Sequence, residues 1–249
     1  MEFILNTIAF KDCLDSGTSQ AELVESVASL GFDAIEIRNE FLSGDPSELS
    51  KIAFNAQKAH LNVYYSINDT LFSSGKLNQN LPRYIEELKL LGSKHLKINI
   101  GSLPSSSKFN LKNELAPYIN DIEINVENNQ SYADSNLNTT TTFLKLVENE
   151  KIQNVNYCFD IANWKWLDTS VYDAITSLKD VTNYLHLKNV TDDLQVTSLE
   201  QGNLDWRKIL TKFNTEKITK VALEYANDQE HLASDLQLLQ NFFNRKELS

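Results

Sequence analysis

Eight short apolar-rich runs recur along the 249-residue chain: FILNTI (3–8), DAIEIR (33–38), LNVYYSI (61–67), HLKINI (95–100), DIEINVE (121–127), VNYCFD (155–160), NYLHLK (183–188) and KVALEYA (220–226). Their starts lie roughly 30 residues apart, the length of one strand plus a crossover helix. Such intervals are too long for hairpins, so neighbouring strands should run parallel. Helical patterns fill the gaps. TSQAELVESVASLG (18–31) opens on Thr/Ser and closes on Gly31, and DPSELSKIAFNAQKAH (45–60) opens on Asp-Pro. LPRYIEELKLLG (81–92) and EHLASDLQLLQNFF (230–243) place apolar residues at helical spacing. The fourth crossover is the weakest, a short helical segment near 110–119 ended by Pro117. SLPSSSK (102–108), the one Ser/Pro-rich segment, reads as a mobile loop rather than a linker. Eight such steps predict an α/β protein, a single (β/α)8 TIM barrel with residues 1–249 as one domain. A doubly wound open sheet competes less well, because no glycine-rich first turn marks one.

The strands carry a second signal. Strands covered on both faces usually read as continuous apolar runs, yet here several alternate. Ile35 and Ile37 oppose Glu36 and Arg38; Leu96, Ile98 and Ile100 oppose Lys97 and Asn99; Ile122, Ile124 and Val126 oppose Glu123, Asn125 and Glu127. Side chains alternate across a strand, so the apolar set should face the helices and the polar set the barrel interior. For Glu36, Lys97 and Glu123 the expectation is a structural ion network across the lower barrel. Near the C-terminal strand ends, where barrel active sites open, polar residues point to chemistry instead.

The last inward positions of strands five to eight are Glu127, Asp160, His186 and Glu224. Three carboxylates held within a few ångströms would raise one another's pKa, and a divalent cation removes that conflict. An O,O,O,N donor set suits Mn²⁺, placed first, with Mg²⁺, Co²⁺ or Zn²⁺ as alternatives. In FDIANWKW (159–166), Asp160 therefore ends its strand as one of four ligands.

GFDAIEIR, INVENN, FDIANW, YLHLKN, GNLDW and ALEYA, in this order, resemble the xylose-isomerase-like barrels, also labelled sugar phosphate isomerase/epimerase or AP endonuclease family 2. The resemblance spans nearly the whole chain. It implies a metal held by Glu127, Asp160, His186 and Glu224, with Glu127 and Glu224 also doing acid/base work, as in the epimerase-like members. One departure stands out: many relatives carry a histidine where this chain has Asn163. That residue helps hold substrate in the 3-epimerases, so their substrate geometry does not transfer. The repair nuclease of the superfamily, endonuclease IV, uses three zinc ions and many histidines. The remaining histidines here are His60, His95 and His231. They fall at strand starts or in the last helix, away from the C-terminal strand ends.

Such a centre would stabilise the negative charge of an enediolate formed from a ketose, with Glu127 and Glu224 on opposite faces exchanging the proton beside the carbonyl. Lys188, two residues past His186, either polarises a substrate oxygen or forms a plain salt bridge to Glu127 or Asp160. Asn6, Arg38, Tyr64, Ser66 and Asn99 are inward on strands one to four and are candidates to line the substrate half. Arg38 suits a phosphate or carboxylate, with a buried pair to Glu36 or Glu123 as its competing role. Asn163 and Trp164 join the substrate-binding set. Trp164 and Trp166 would stack on a sugar ring, unless they pack against the adjacent helix instead. Trp206 reads as the packed first turn of helix seven, with Asp205 near its N-terminus.

The expected activity is a metal-dependent isomerase or epimerase of a small keto-sugar or related polyol, phosphorylated or not. A lyase on the same scaffold and a non-catalytic sugar-binding barrel are the alternatives. The formal charge of −11 and pI of about 4.9, with no Lys/Arg block, argue against nucleic-acid and anionic-membrane partners. No apolar run approaches the roughly 20 residues of a membrane span. The opening MEFILNTIAFKD lacks a basic lead and a cleavage site and reads as a strand, which predicts a soluble cytoplasmic protein. Cys13 and Cys158 have no metal-like spacing. Barrels of this type often pair as homodimers, although no isolated apolar patch argues for it here.

Overall fold

The computed structural model describes residues 1–104 and 109–247. Positions 105–108 of the Ser/Pro-rich loop lie outside the described residues. The eight barrel strands are β1 (Glu2–Asn6), β2 (Ala34–Arg38), β3 (Asn62–Ser73), β4 (His95–Gly101), β5 (Glu123–Glu127), β6 (Val155–Asp160), β7 (Thr182–Leu187) and β8 (Lys220–Leu223). All neighbouring pairs run parallel, and β1 pairs both with β2 and with β8, closing the barrel. Helices follow the strands, from α1 (Gln20–Ser29) and α2 (Pro46–Lys58) through to a 19-residue helix, Gln229–Glu247. No helix among the described residues is long and apolar enough to cross a membrane.

Local chemistry sets the helix ends. Ser19 and Glu22 form a capping box at the start of α1, and the Asp45 side chain accepts from the Ser47 N–H ahead of Pro46. The fourth crossover is shorter than its sequence suggests, Leu111–Leu115, capped by the Asn110 side chain. Pro117 two residues on cannot continue the ladder. Asp205 caps the helix Trp206–Leu210 through the Lys208 N–H, and the Trp206 indole donates to Glu200 at 2.7 Å.

Strand β3 runs six residues past the expected Ile67, because Ser74 and Gly75 turn it into a hairpin with Lys76–Leu77. A register break between Ile67 and Thr70 re-aims the extension at the top of the barrel. Gly101 ends β4 beneath it with φ of +77°, and a Cβ there would lie 2.1 Å from the Phe72 carbonyl oxygen.

Outward Ile35, Ile37, Leu96, Ile98, Ile124, Val126, Leu185 and Val221 join the helices in one large apolar shell. Each such buried side chain contributes about 1.5–3 kcal/mol. The barrel interior is polar at both ends and closed in the middle by a small separate cluster that includes Ile4, Tyr64, Cys158 and Tyr184. At the N-terminal end, Glu123 accepts from Asn156 and Asn183 at 2.8 and 2.7 Å, while its other oxygen meets His95 and Lys220.

Burial opposes ionisation of Glu123, but its hydrogen bond with His95 and the charge of Lys220 hold its pKa below the ordinary 4.5. A group depressed on folding stabilises the native state above its unfolded pKa and loses that contribution as pH falls through the folded value. Wild-type unfolding free energy should therefore decline with acidification below pH 4.5. Urea titrations at several pH values should show that acid-side slope flattened in Glu123→Gln.

Candidate metal centre

Asp160 ends β6 fully buried. Asn128 clamps its backbone from both sides, accepting from the Asp160 N–H at 3.0 Å and donating to its carbonyl at 3.1 Å. The chain then folds back, so that the Ala162 and Asn163 N–H groups bond Oδ1 at 2.8 and 2.9 Å. Oδ2 takes no backbone bond and lies 2.6 Å from the Lys188 ammonium.

The neighbours repeat that division. Glu127 gives Oε2 to the Lys97 ammonium at 2.5 Å and turns Oε1 towards His186 Nδ1, 2.8 Å away. His186 places Nε2 3.0 Å from Glu36 Oε2. Glu224 gives Oε1 to Arg38 at 2.9 Å, and its Oε2 lies 3.5 Å from His186 Nδ1. One ligand-type atom from each of Glu127, Asp160, His186 and Glu224 lies within 4.8 Å of all the others, and all four residues are buried. Glu127 Oε1, Asp160 Oδ2 and His186 Nδ1 make no hydrogen bond in good geometry, although the Lys188 ammonium lies 2.6 Å from Asp160 Oδ2. Buried polar atoms are normally paired. Three such atoms that converge, each on a group fixed from behind and one of them already drawing in a cation, fit a divalent cation.

The charges are strongly coupled. Burial raises the Asp160 carboxyl to about 6, with Glu224 and Glu127 pushing the same way against Lys188. Burial works against Glu127 as well, but Lys97 and His186 hold it down at about 2. Cys158 also approaches Glu127 and His186, an encounter its sequence spacing did not suggest. Burial pushes its thiol up to about 12, so it stays protonated and the oxygen-rich quartet is the better ligand set.

A cavity of about 550 Å³ opens above this floor. Glu127, Glu224, Lys97 and Lys188 reach its base, with Arg38, Asn99 and Asn163 on the walls. Gln20 fixes Arg38 by bonding both its N–H and its carbonyl at 2.9 Å. Asn163 also donates to the Asn128 carbonyl at 2.7 Å.

Four expected substrate contacts lie elsewhere. Asn6 is buried beside Glu36, its amide donating there and its oxygen accepting from Ile8. The Tyr64 hydroxyl donates to Glu2 and its ring stacks on His95 at 4.5 Å, at the opposite end of the barrel. Ser66 is buried, and neither it nor Trp164 is among the cavity-lining residues. Trp164 packs on Phe159 with ring centroids 5.5 Å apart, because the turn Asn163–Lys165 sends Asn163 to the cavity and the indole outward. Glu36 and Lys97 require a further correction. They belong to this centre and not to the lower network, because each side chain extends upward to His186 or Glu127. Asn128 and Gln130 had no periodic signal to reveal them. His60 and His231 are exposed, and His95 lies beside Glu123.

No family model matches the chain, and no curated protein matches it by sequence. The fold is that of the xylose isomerase-like TIM barrels. A D-tagatose 3-epimerase-like protein is similar with a TM-score of 0.71 and 15% identity over 100% of both chains. A D-psicose 3-epimerase has a TM-score of 0.71 and 16% identity, covering 98% of this chain and 99% of that one. A probable 3-DHS dehydratase from Bacillus anthracis has a TM-score of 0.66 and 15% identity over 96% and 99%.

Proposed function

We propose that this chain is a divalent-metal-dependent isomerase or epimerase of a small keto-sugar or related polyol, acting through an enediolate. The observation that carries the proposal is the convergence of four buried ligand-type residues at the strand ends, three of which turn towards one another an atom with no hydrogen bond in good geometry. Glu127, Asp160, His186 and Glu224 would hold the ion. Once bound, it supplies Lewis acidity that stabilises negative charge developing on a substrate oxygen.

The rest follows from the protein's own groups. Glu127, kept ionised by Lys97 and His186, is poised to take the proton beside the carbonyl. Glu224, held by Arg38, would deliver to the other face a proton taken up from solvent. Asn68, Asn99, Asn129, Gln130 and Asn163 ring the cavity with amides. Amides both donate and accept, which suits a polyol. The similar solved structures named as sugar epimerases support this substrate class, and the probable dehydratase among them keeps a lyase as the second reading. Both begin with the same proton abstraction, and product analysis separates them.

Elemental analysis of tag-free protein should find about one divalent ion per chain, lost in both Asp160→Ala and His186→Ala. Metal-loaded protein should then exchange a ketose α-proton with solvent deuterium. Absence of metal even after incubation with Mn²⁺, Co²⁺ and Zn²⁺ would overturn the proposal.

A further inference from the structure

The cations around the centre do not occupy equivalent places. Lys97 holds Glu127 by Oε2, and Arg38 holds Glu224 by Oε1. In each carboxylate the other oxygen is the one near His186 Nδ1. Lys188 differs. Its ammonium lies 2.6 Å from Asp160 Oδ2 and 2.8 Å from Glu224 Oε2. Asp160 Oδ2 is the oxygen that the Ala162 and Asn163 N–H groups leave free, and Glu224 Oε2 is the oxygen nearer His186.

We propose that Lys188 is a displaceable stand-in for the metal ion, occupying its place in the metal-free protein and swinging into the cavity when the ion binds. This rests on the metal-centre reading above. A divalent cation held by those same two oxygens would overlap the ammonium and repel it. The side chain is 8% exposed and already lines the cavity, so the way out leads to where substrate would sit. The exchange keeps the carboxylates compensated in both states and brings a cationic donor to the substrate only after the metal has arrived. Lys97 and Arg38 need not move, because their oxygens are not the ones the ion takes.

Calorimetric titration with Mn²⁺ tests this on wild type, Lys188→Met and Lys97→Met. Both variants remove one positive charge from the floor of the same cavity, but only Lys188→Met vacates the ion's place. The expected result is affinity in Lys188→Met tighter by at least tenfold than in Lys97→Met. Equal tightening would reduce the effect to charge removal and overturn the proposal, as would weaker binding in Lys188→Met. A second readout needs no variant. Acylation of Lys188 in wild type, followed by peptide mass mapping, should be slow without metal and several-fold faster with Mn²⁺. An unchanged or slower rate on loading would overturn the displacement. Failure of all three proteins to bind Mn²⁺ would instead sink the metal reading itself, which separates the two failures.

Discussion

Glu127→Gln and Glu224→Gln are each expected to lower interconversion of the substrate epimers by ~10²–10⁴-fold, the usual contribution of a positioned acid or base. Glutamine keeps the shape and one acceptor oxygen, so the contact with Lys97 or Arg38 can persist while the proton-accepting carboxylate is lost. Because the two groups lie on different strands around one centre, each should serve one face of the enediolate. Solvent-deuterium exchange should accordingly split between the variants. Glu127→Gln would lose exchange from one epimer and Glu224→Gln from the other. Metal content and far-UV circular dichroism, measured on the same samples, separate loss of base from loss of ion or fold. Wild-type exchange rates for both epimers in both variants would remove the assigned roles.

The parts of the site legible in the sequence were those fixed by period and position. Glu127, Asp160 and His186 occupy the last inward positions of β5, β6 and β7, and Glu224 follows β8 directly. Register sets Asp160 opposite His186 but Glu127 opposite Cys158 and His186 opposite Ala222, so the four step up around the barrel and their side chains close the difference. Residues with long side chains escaped that logic. Lys97 sits in register with Asn125, one inward layer below Glu127, yet its stem carries the ammonium up to the carboxylate. Tyr64 fails in the other direction, because its ring leans towards His95 and the barrel's N-terminal end. Trp164 was misplaced because the direction of a loop side chain depends on a turn whose geometry is set by hydrogen bonds to Asp160 and has no periodic signature. A Cα position is readable from pattern; the point reached by the end of a long side chain is not.

Glu36 carries the second large effect, since it reaches His186 from behind. It is fully buried, accepts from the Tyr184 hydroxyl and from Asn6, and lies 3.0 Å from His186 Nε2. Burial opposes its charge, but His186 and Lys97 keep its pKa below the ordinary value, so it faces His186 as a carboxylate. That contact requires a proton on Nε2 and leaves Nδ1 free for the centre. Glu36→Ala strands three buried polar groups together, and breaking a buried pair from one side typically costs about 3–5 kcal/mol. Chemical denaturation should show a loss of that size. Glu36→Gln separates architecture from tuning. It conserves volume and one acceptor, yet its NH₂ must face groups that are themselves donors, and it cannot hold the imidazole in one tautomer as a carboxylate does. The variant should remain folded while Mn²⁺ affinity falls about 10–100-fold, the range seen when an outer partner of a ligand histidine is removed. If Glu36→Gln bound Mn²⁺ like wild type, His186 would owe its orientation to packing against Tyr184, whose ring meets it edge-on at 4.8 Å, and Glu36 would be structural alone.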